Sequence, residues 1–423
     1  MPPVEIKPDI YWIGVNDRTT DLFEGLWPIT QEGVSYNTYL INDEKKAIVD
    51  LAKALKTDEF FDQVDQALRR RSGQALRRRS GQALRQRSGQ VTDISQLDYI
   101  IVNHMEPDHS GVLRTLRRVA PQATILGTEK TRTMLESFYS ITEGVQVVQD
   151  GDTLSLGEHT LQFFYTPFVH WPETMMTYEV TERILFSCDA FGSYGALRGA
   201  IFDDECIDSE FYEREALRYY VNIVALFSGP VLKAIAKLAD VPVSVIAPSH
   251  GLVWRKNPQR IVDLYKQWAD YATDPGEVGV TLIYGSMYGN TEEMMNAVAQ
   301  GISQEGVPLS IFDAAHTHAS YILPSLWTQR GVMVGAPTYE GSLFPPVAQA
   351  LDTAAHKRIR NKKVARFGSY GWSGGAQRDF ERIIEPLKWE LVDSFEFIGS
   401  PTEEDLRHGE EFGARFAKFI QEG

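Results

Sequence analysis

After the apolar residues 97–102 the chain reads Asn103-His104-Met105-Glu106-Pro107-Asp108-His109-Ser110-Gly111, which places four potential metal ligands within six positions. Two imidazoles and two carboxylates at the end of a strand carry a large desolvation cost unless something compensates it. Three more candidates each follow an apolar, strand-like run: His170 in Phe168-Val169-His170-Trp171-Pro172, Asp189 in Phe186-Ser187-Cys188-Asp189, and His250 in Ala247-Pro248-Ser249-His250-Gly251. Ligand types recurring at strand ends are what a binuclear centre built on a sheet requires. Four imidazoles and three carboxylates without a thiolate form a mixed nitrogen and oxygen shell that suits iron, manganese or zinc. His159, His316, His318, His356 and His408 read as ordinary core or loop histidines, the pair His316 and His318 having only Asp313 close in sequence. Cys188 reads as a small buried hydrophobe rather than a ligand.

A second constellation lies in the C-terminal third. The apolar strand 278–284 runs into Gly285-Ser286-Met287-Tyr288-Gly289-Asn290-Thr291 and then a helical stretch over 292–301. A hydroxyl- and glycine-rich turn between a strand and a helix N-terminus aims free backbone N–H groups at an anion, so a phosphate can sit there. The lysine of a nucleotide-triphosphate loop is missing, and the spacing is not that of dinucleotide folds. Two later strand-end loops add glycines for close backbone approach and aromatics for stacking: Pro337-Thr338-Tyr339-Glu340-Gly341, and Ser369-Tyr370-Gly371-Trp372-Ser373-Gly374-Gly375. Such loops form the ligand crevice of open α/β sheets.

The order HxxxDH, His, Asp, His resembles the metallo-β-lactamase superfamily. Glu106 stands where hydrolases of that superfamily carry a second His, and in this the chain looks like the flavodiiron branch. The resemblance implies one iron held by His104, Glu106 and His170, another by Asp108, His109 and His250, and Asp189 bridging. Glu106 in place of an imidazole adds negative charge that favours the higher oxidation states of a redox metal, which zinc never visits. The three C-terminal loops resemble short-chain flavodoxin. That likeness implies FMN, its phosphate at Ser286, Met287, Tyr288, Gly289, Asn290 and Thr291, and its isoalloxazine between Pro337–Gly341 and Ser369–Gly375.

A lactamase-like domain followed by a flavodoxin domain is the core arrangement of flavodiiron proteins, and it implies an oxidoreductase. FMN hydroquinone and a diferrous pair together store four electrons, the number that takes O2 to two waters. NO reduction to N2O, at two electrons per pair of NO, stays open. The competing readings are a zinc hydrolase fused to a flavodoxin and an electron carrier with a vestigial metal site. Many anaerobic members carry His after the Phe in the segment resembling Asp21-Leu22-Phe23-Glu24-Gly25, whereas this chain has Glu24. With Leu26-Trp27-Pro28, that departure resembles members from oxygenic phototrophs and implies O2 reduction as a sink for excess reducing power. Those members carry a further flavin-reductase domain fed by NAD(P)H or ferredoxin. The chain ends at Gly423, where that domain would begin, so the expectation is a truncated chain or a separate donor protein. The family also implies a head-to-tail homodimer, or a heterodimer with a paralogue.

These sites need an α/β scaffold. Strands are expected near 10–15, 37–41, 46–49, 99–102, 123–126, 145–148, 161–165, 174–180 and 184–187, with a helix over 60–68, which suggests a β-sandwich covered by helices. Thr273-Asp274-Pro275-Gly276-Glu277 breaks a helical run from the next strand and sets domains at 1–275 and 276–423, the second a doubly wound parallel sheet. Between residues 68 and 91 an eight-residue unit appears three times, as LRRRSGQA, LRRRSGQA and LRQRSGQV, and this arginine repeat reads as a solvated surface insertion rather than a docking patch.

Composition narrows the class. The 423 residues are 43% hydrophobic and 23% charged, which excludes disorder and a fibrous chain. A net charge of -15 argues against nucleic acid or an anionic membrane as partner. Two cysteines give no disulfide framework, and the start, interrupted by Glu5, Lys7 and Asp9, is not a signal peptide, so a cytoplasmic location is expected.

Overall fold

The computed structural model describes residues 1–69 and 93–422, so the arginine repeat lies outside the described residues except for its first two positions. The chain forms two compact units: Met1–Tyr219 with Gly229–Lys266, and Tyr220–Ser228 with Gln267–Gly423.

Among the described residues the first unit is built on two large sheets, with two short two-stranded ones beside them. One has seven strands in the order Val4–Lys7, Ile10–Trp12, Tyr39–Asn42, Lys46–Val49, Tyr99–Ile101, Thr124–Gly127 and Val145–Val147. The other has five, Thr153–Ser155, Thr160–Tyr165, Met175–Glu179, Ile184–Cys188 and Val245–Pro248. The inner strands Tyr39–Asn42, Met175–Glu179 and Ile184–Cys188 are buried along their whole length, as strands covered on both faces must be, and so is the edge strand Val245–Pro248. The sheets face one another: the Tyr39 ring lies 5.0 Å from Phe186, and Thr177 Oγ1 donates to Asn103 Oδ1 at 2.7 Å. Helices Thr57–Leu68, Glu129–Tyr139 and Pro258–Asp270 bury one stripe each, giving the expected helix-covered sandwich.

The run Ser209–Lys237 is long and apolar enough to cross a membrane by length and composition, but more than half of its most apolar stretch is buried inside the fold. It is also broken by a π-helical turn at Tyr220–Val224 and a 3-10 turn at Ala225–Phe227.

The second unit carries five parallel strands in the order Leu309–Asp313, Glu277–Tyr284, Gln329–Gly335, Lys363–Tyr370 and Glu390–Ile398. Numbered along the chain this order is 2-1-3-4-5, the flavodoxin-like doubly wound sheet, whose switch point lies at the carboxyl ends of the first and third strands. Its two edge strands are absent from the sequence reading. Glu390–Ile398 alternates acidic with apolar residues and Leu309–Asp313 is only half-buried, so neither shows the continuous apolar run that betrays a central strand.

Candidate metal centre and flavin crevice

The metal-ligand candidates sit where the strands of the first unit end. Tyr99–Ile101 delivers His104 and Glu106, and the short helix Pro107–Ser110, with Pro at its first turn, turns Asp108 and His109 inward. Ile184–Cys188 delivers Asp189 and Val245–Pro248 delivers His250, while His170 lies in the loop between Thr160–Tyr165 and Met175–Glu179. All seven converge. They form two groups, one of His104, Glu106, His170 and Asp189, the other of Asp108, His109 and His250.

Asp189 relates the two groups through its two oxygens. Oδ2 lies 3.4 Å from both His104 Nε2 and His170 Nε2, and Glu106 Oε2 is 3.3 and 3.1 Å from the same nitrogens. Oδ1 lies 3.0 Å from His109 Nε2 and 3.3 Å from His250 Nε2, while Asp108 Oδ2 is 3.4 and 3.3 Å from those two. Both oxygens of Asp108, both ring nitrogens of His109, Asp189 Oδ2 and His250 Nε2 are buried without an aligned hydrogen-bond partner. Buried polar atoms are rarely left so, and carboxylate oxygens facing imidazole Nε2 atoms in two adjoining groups fit a pair of cations. The electrostatics agree. Burial alone would lower the basicity of His104, yet the carboxylates of Glu106 and Glu173 outweigh it and hold its pKa well above the ordinary imidazole value. Burial would raise the Asp189 pKa, but positive charge on His109 and hydrogen bonds from the surrounding imidazoles hold it well below the carboxylate range. The cluster thus favours positive charge at its centre.

A supporting layer escaped the sequence reading. Glu173 Oε1 accepts from His104 Nδ1 at 2.7 Å and from the Met105 N–H at 2.9 Å. The Ser35 carbonyl accepts from His250 Nδ1 at 2.7 Å. Both bonds leave the Nε2 atom facing the centre. Asp50 Oδ1 accepts from the Asn103 N–H and Asp50 Oδ2 from Ser249 Oγ, tying two ligand-bearing loops together. Tyr219 donates to Asp189. Glu173 follows His170 by three positions and Asp50 ends the strand Lys46–Val49, so carboxylates at strand or loop ends were the available signal.

Beside the centre opens a cavity of about 390 Å³, lined by Phe23, Glu24, Gly25, Tyr36, Lys53, Glu106, Pro107 and Asp108. Burial, followed by the neighbouring charge of Glu106, pushes the Glu24 carboxyl up to about 7. Phe23 and Tyr36 set their ring edges against His250, at 5.6 and 5.8 Å between centroids. Of the histidines read as ordinary, His159 is buried and pairs with Glu179, while His316 and His356 are largely exposed. Cys188 is buried.

In the second unit the three loops gather at the carboxyl ends of the parallel strands. Ser286 Oγ accepts from the Gly289 N–H at 3.1 Å, and Gly289 turns at φ +94° into the helix Asn290–Gln304, whose first N–H groups have no side-chain cap. Thr291 and Ser369 hydroxyls meet at 3.2 Å, joining the first and third loops. Gly375, at φ +145°, approaches the Gly341 carbonyl so closely that a Cβ would fall 2.3 Å from its oxygen. Tyr288 and Trp372 stand almost fully exposed and Tyr339 two-fifths exposed, so aromatic faces are open around a cradle of glycines and uncapped N–H groups. This fits a planar ring carrying a phosphate.

Comparison with known proteins finds two families along the chain. Residues 81–251 match the ODP family beta lactamase and residues 282–413 match flavodoxin. The chain is 32% identical over 425 residues to a nitric oxide reductase of Moorella thermoacetica, with 99% of each chain covered. Among solved structures it is similar to the rubredoxin oxygen:oxidoreductase of Desulfovibrio gigas, at TM-score 0.87 and 27% identity with 99% of both chains covered. It is also similar to the flavodiiron protein of Giardia intestinalis, at TM-score 0.86 and 26% identity over 100% of this chain and 97% of that one.

Proposed function

The chain belongs to the flavodiiron proteins, oxidoreductases with FMN and a diiron centre, and from that premise we propose that it reduces O2 to water as an electron sink. The observation that supports reduction of a diatomic is the pair of donor groups sharing Asp189 beside the 390 Å³ cavity, and Glu24 in the lining of that cavity, where many anaerobic members carry His, favours O2. When bound, FMN and a diiron pair would supply two electrons each, and the metals would offer a Lewis-acidic site for the diatomic.

The residues of the chain divide the remaining work. His104, Glu106 and His170 would hold one iron and Asp108, His109 and His250 the other, and Asp189, with one oxygen toward each group, would be shared by both. Glu173 and the Ser35 carbonyl keep His104 and His250 in the ligating tautomer. Phe23 and Tyr36 wall the cavity, restricting water next to the ligands. In the second unit Ser286, Met287, Tyr288, Gly289, Asn290 and Thr291 take the FMN phosphate. Pro337, Thr338, Tyr339, Glu340 and Gly341 hold one side of the isoalloxazine, and Ser369, Tyr370, Gly371, Trp372, Ser373, Gly374 and Gly375 the other.

NO reduction to N2O is the second reading, favoured by the likeness to the Moorella enzyme. The donor is a small redox protein such as rubredoxin or ferredoxin, or NAD(P)H acting through a flavin reductase, and the chain works in the cytoplasm as a head-to-tail dimer. The test is stoichiometric: protein carrying iron and FMN is given a measured number of reducing equivalents and then either O2 or NO. Four electrons per O2 with no peroxide released, and slower N2O formation, supports the O2 reading; faster N2O formation replaces it with the second.

A further inference from the structure

The second unit contains a buried cation that the proposed function does not use. Arg366, on the strand Lys363–Tyr370, has no exposed surface. Its Nη1 donates to Gln377 Oε1 and to Glu396 Oε1, each at 3.0 Å, and its Nη2 donates to the Ala336 carbonyl at 3.1 Å. Burial lowers its pKa and the Glu396 charge opposes that shift, so the ion pair keeps the guanidinium in its charged form.

The positions of those partners matter. Ala336 immediately precedes the loop Pro337–Gly341, and Gln377 lies just past Gly375 in the helix Ala376–Ile384. One guanidinium therefore grips the root of each loop assigned to the isoalloxazine. The backbone is shaped to allow it: a Cβ on Gly368 would fall 2.0 Å from the Ala336 oxygen and 2.8 Å from Arg366 Nη2. Without the fork, the buried Ala336 carbonyl and the partly exposed Glu396 carboxylate lose their donor, and a buried carbonyl left unpaired carries its whole desolvation cost.

We propose that Arg366 is a positioning residue of the flavin site, whose planar fork fixes the spacing between the Pro337–Gly341 and Ser369–Gly375 loops. The proposal rests on the assignment of those loops to FMN. A lysine cannot serve in its place, because one ammonium on a flexible stem does not reach three acceptors in a fixed plane. A charge effect alone, by contrast, would survive the exchange.

The test measures FMN affinity by fluorescence quenching with flavin-depleted full-length protein, and the FMN midpoint potentials after reloading. Arg366→Lys and Gln377→Ala are compared with Val364→Ala, a packing change on the same strand. The expected result is FMN affinity at least tenfold weaker and a shifted potential in Arg366→Lys, a smaller loss in Gln377→Ala, and wild-type affinity in Val364→Ala. If Arg366→Lys does not fold, Gln377→Ala and Glu396→Gln decide by the same readout. Affinity within about twofold and potential within about 10 mV of wild type, the latter about 1.5-fold for one electron, in these variants would overturn the proposal. Tyr339→Ala and Trp372→Ala report on the loop assignment separately: if neither weakens FMN, the assignment fails and the proposal with it, whereas weakening there with unchanged Arg366→Lys overturns the proposal alone.

Discussion

The Tyr219 hydroxyl donates to Asp189 Oδ1 at 2.9 Å, inside a fully buried contact. Its ring is edge-on to Phe23 and Tyr194 and tilted 5.5 Å from His250. One side chain thus touches the carboxylate shared by the two donor groups, an imidazole of one group and the aromatic wall of the cavity. Tyr219→Phe keeps the ring contacts and deletes the bond. Outer hydrogen bonds to metal ligands are typically worth about 10–100-fold in metal affinity or activity. We expect iron retention against a chelator to fall by about that factor, with FMN content unchanged. Iron retained as in wild type would show that the hydroxyl has no part in holding the carboxylate.

Asp189→Asn attacks the shared carboxylate itself. It removes one negative charge and replaces the carboxylate that faces the imidazoles with an amide, a poorer metal ligand. Iron content and reduction of either diatomic should fall to background, while bound FMN stays near wild type because its loops lie in the other compact unit. Metal analysis and flavin absorbance on the same sample check this. Loss of FMN with iron retained would contradict the ligand assignment.

How much of this was legible in the sequence depends on what kind of contact is concerned. His104, Glu106, Asp108, His109, His170, Asp189 and His250 stand out because ligand types at the ends of apolar runs are costly without a metal, so type and local context were enough. The loops of the flavin crevice were readable for a similar reason, each being a glycine-rich turn placed after a strand. Glu173, Asp50 and Tyr219 were not readable. Their roles depend on how distant elements register, Tyr219 being thirty positions from its partner in a helix whose pattern reads as ordinary core. Arg366 was hidden differently: in a strand of eight residues it looks like a solvent-facing position, and only its complete burial shows otherwise. The edge strands Leu309–Asp313 and Glu390–Ile398 were missed because half-exposed edges carry polar residues.

Helix contact in the second unit leaves no room for a methyl group. The helices Asn290–Gln304 and Glu403–Glu422 approach so closely that a Cβ on Gly413 would lie 2.1 Å from the Val298 carbonyl oxygen. Backbone on one side and backbone on the other cannot both stay in place. Gly413→Ala should destabilise this unit by about 1–3 kcal/mol, as overpacking does. Gly229→Ala, in the helix Ser228–Lys237 with nothing within 4 Å of the added atom, should be neutral or stabilising by up to about 1 kcal/mol. Urea unfolding of both variants checks the contrast, and equal midpoints would refute the close-packing account.

Lys362 gives the second unit a pH dependence with a definite sign. Its ammonium is buried and donates to the Pro275 and Trp327 carbonyls at 2.9 and 3.0 Å. Burial lowers its pKa to about 7, with Asp274 opposing the shift and Arg330 adding to it. The unfolded chain holds this proton up to its ordinary lysine value of about 10.4. Between those values the unfolded state binds more protons than the native one, so this group's contribution to stability rises with pH; below about 7 the native state must keep a buried cation. The slope is at most about 1.4 kcal/mol per pH unit. In Lys362→Met that contribution is absent, so the stability of wild type relative to the variant should climb from about pH 7 to about pH 9, inside the window between the two protonation steps. The check is the urea midpoint of FMN release for both proteins across that range. A difference that stays flat, or falls as pH rises, would mean that Lys362 keeps its proton in the folded protein throughout.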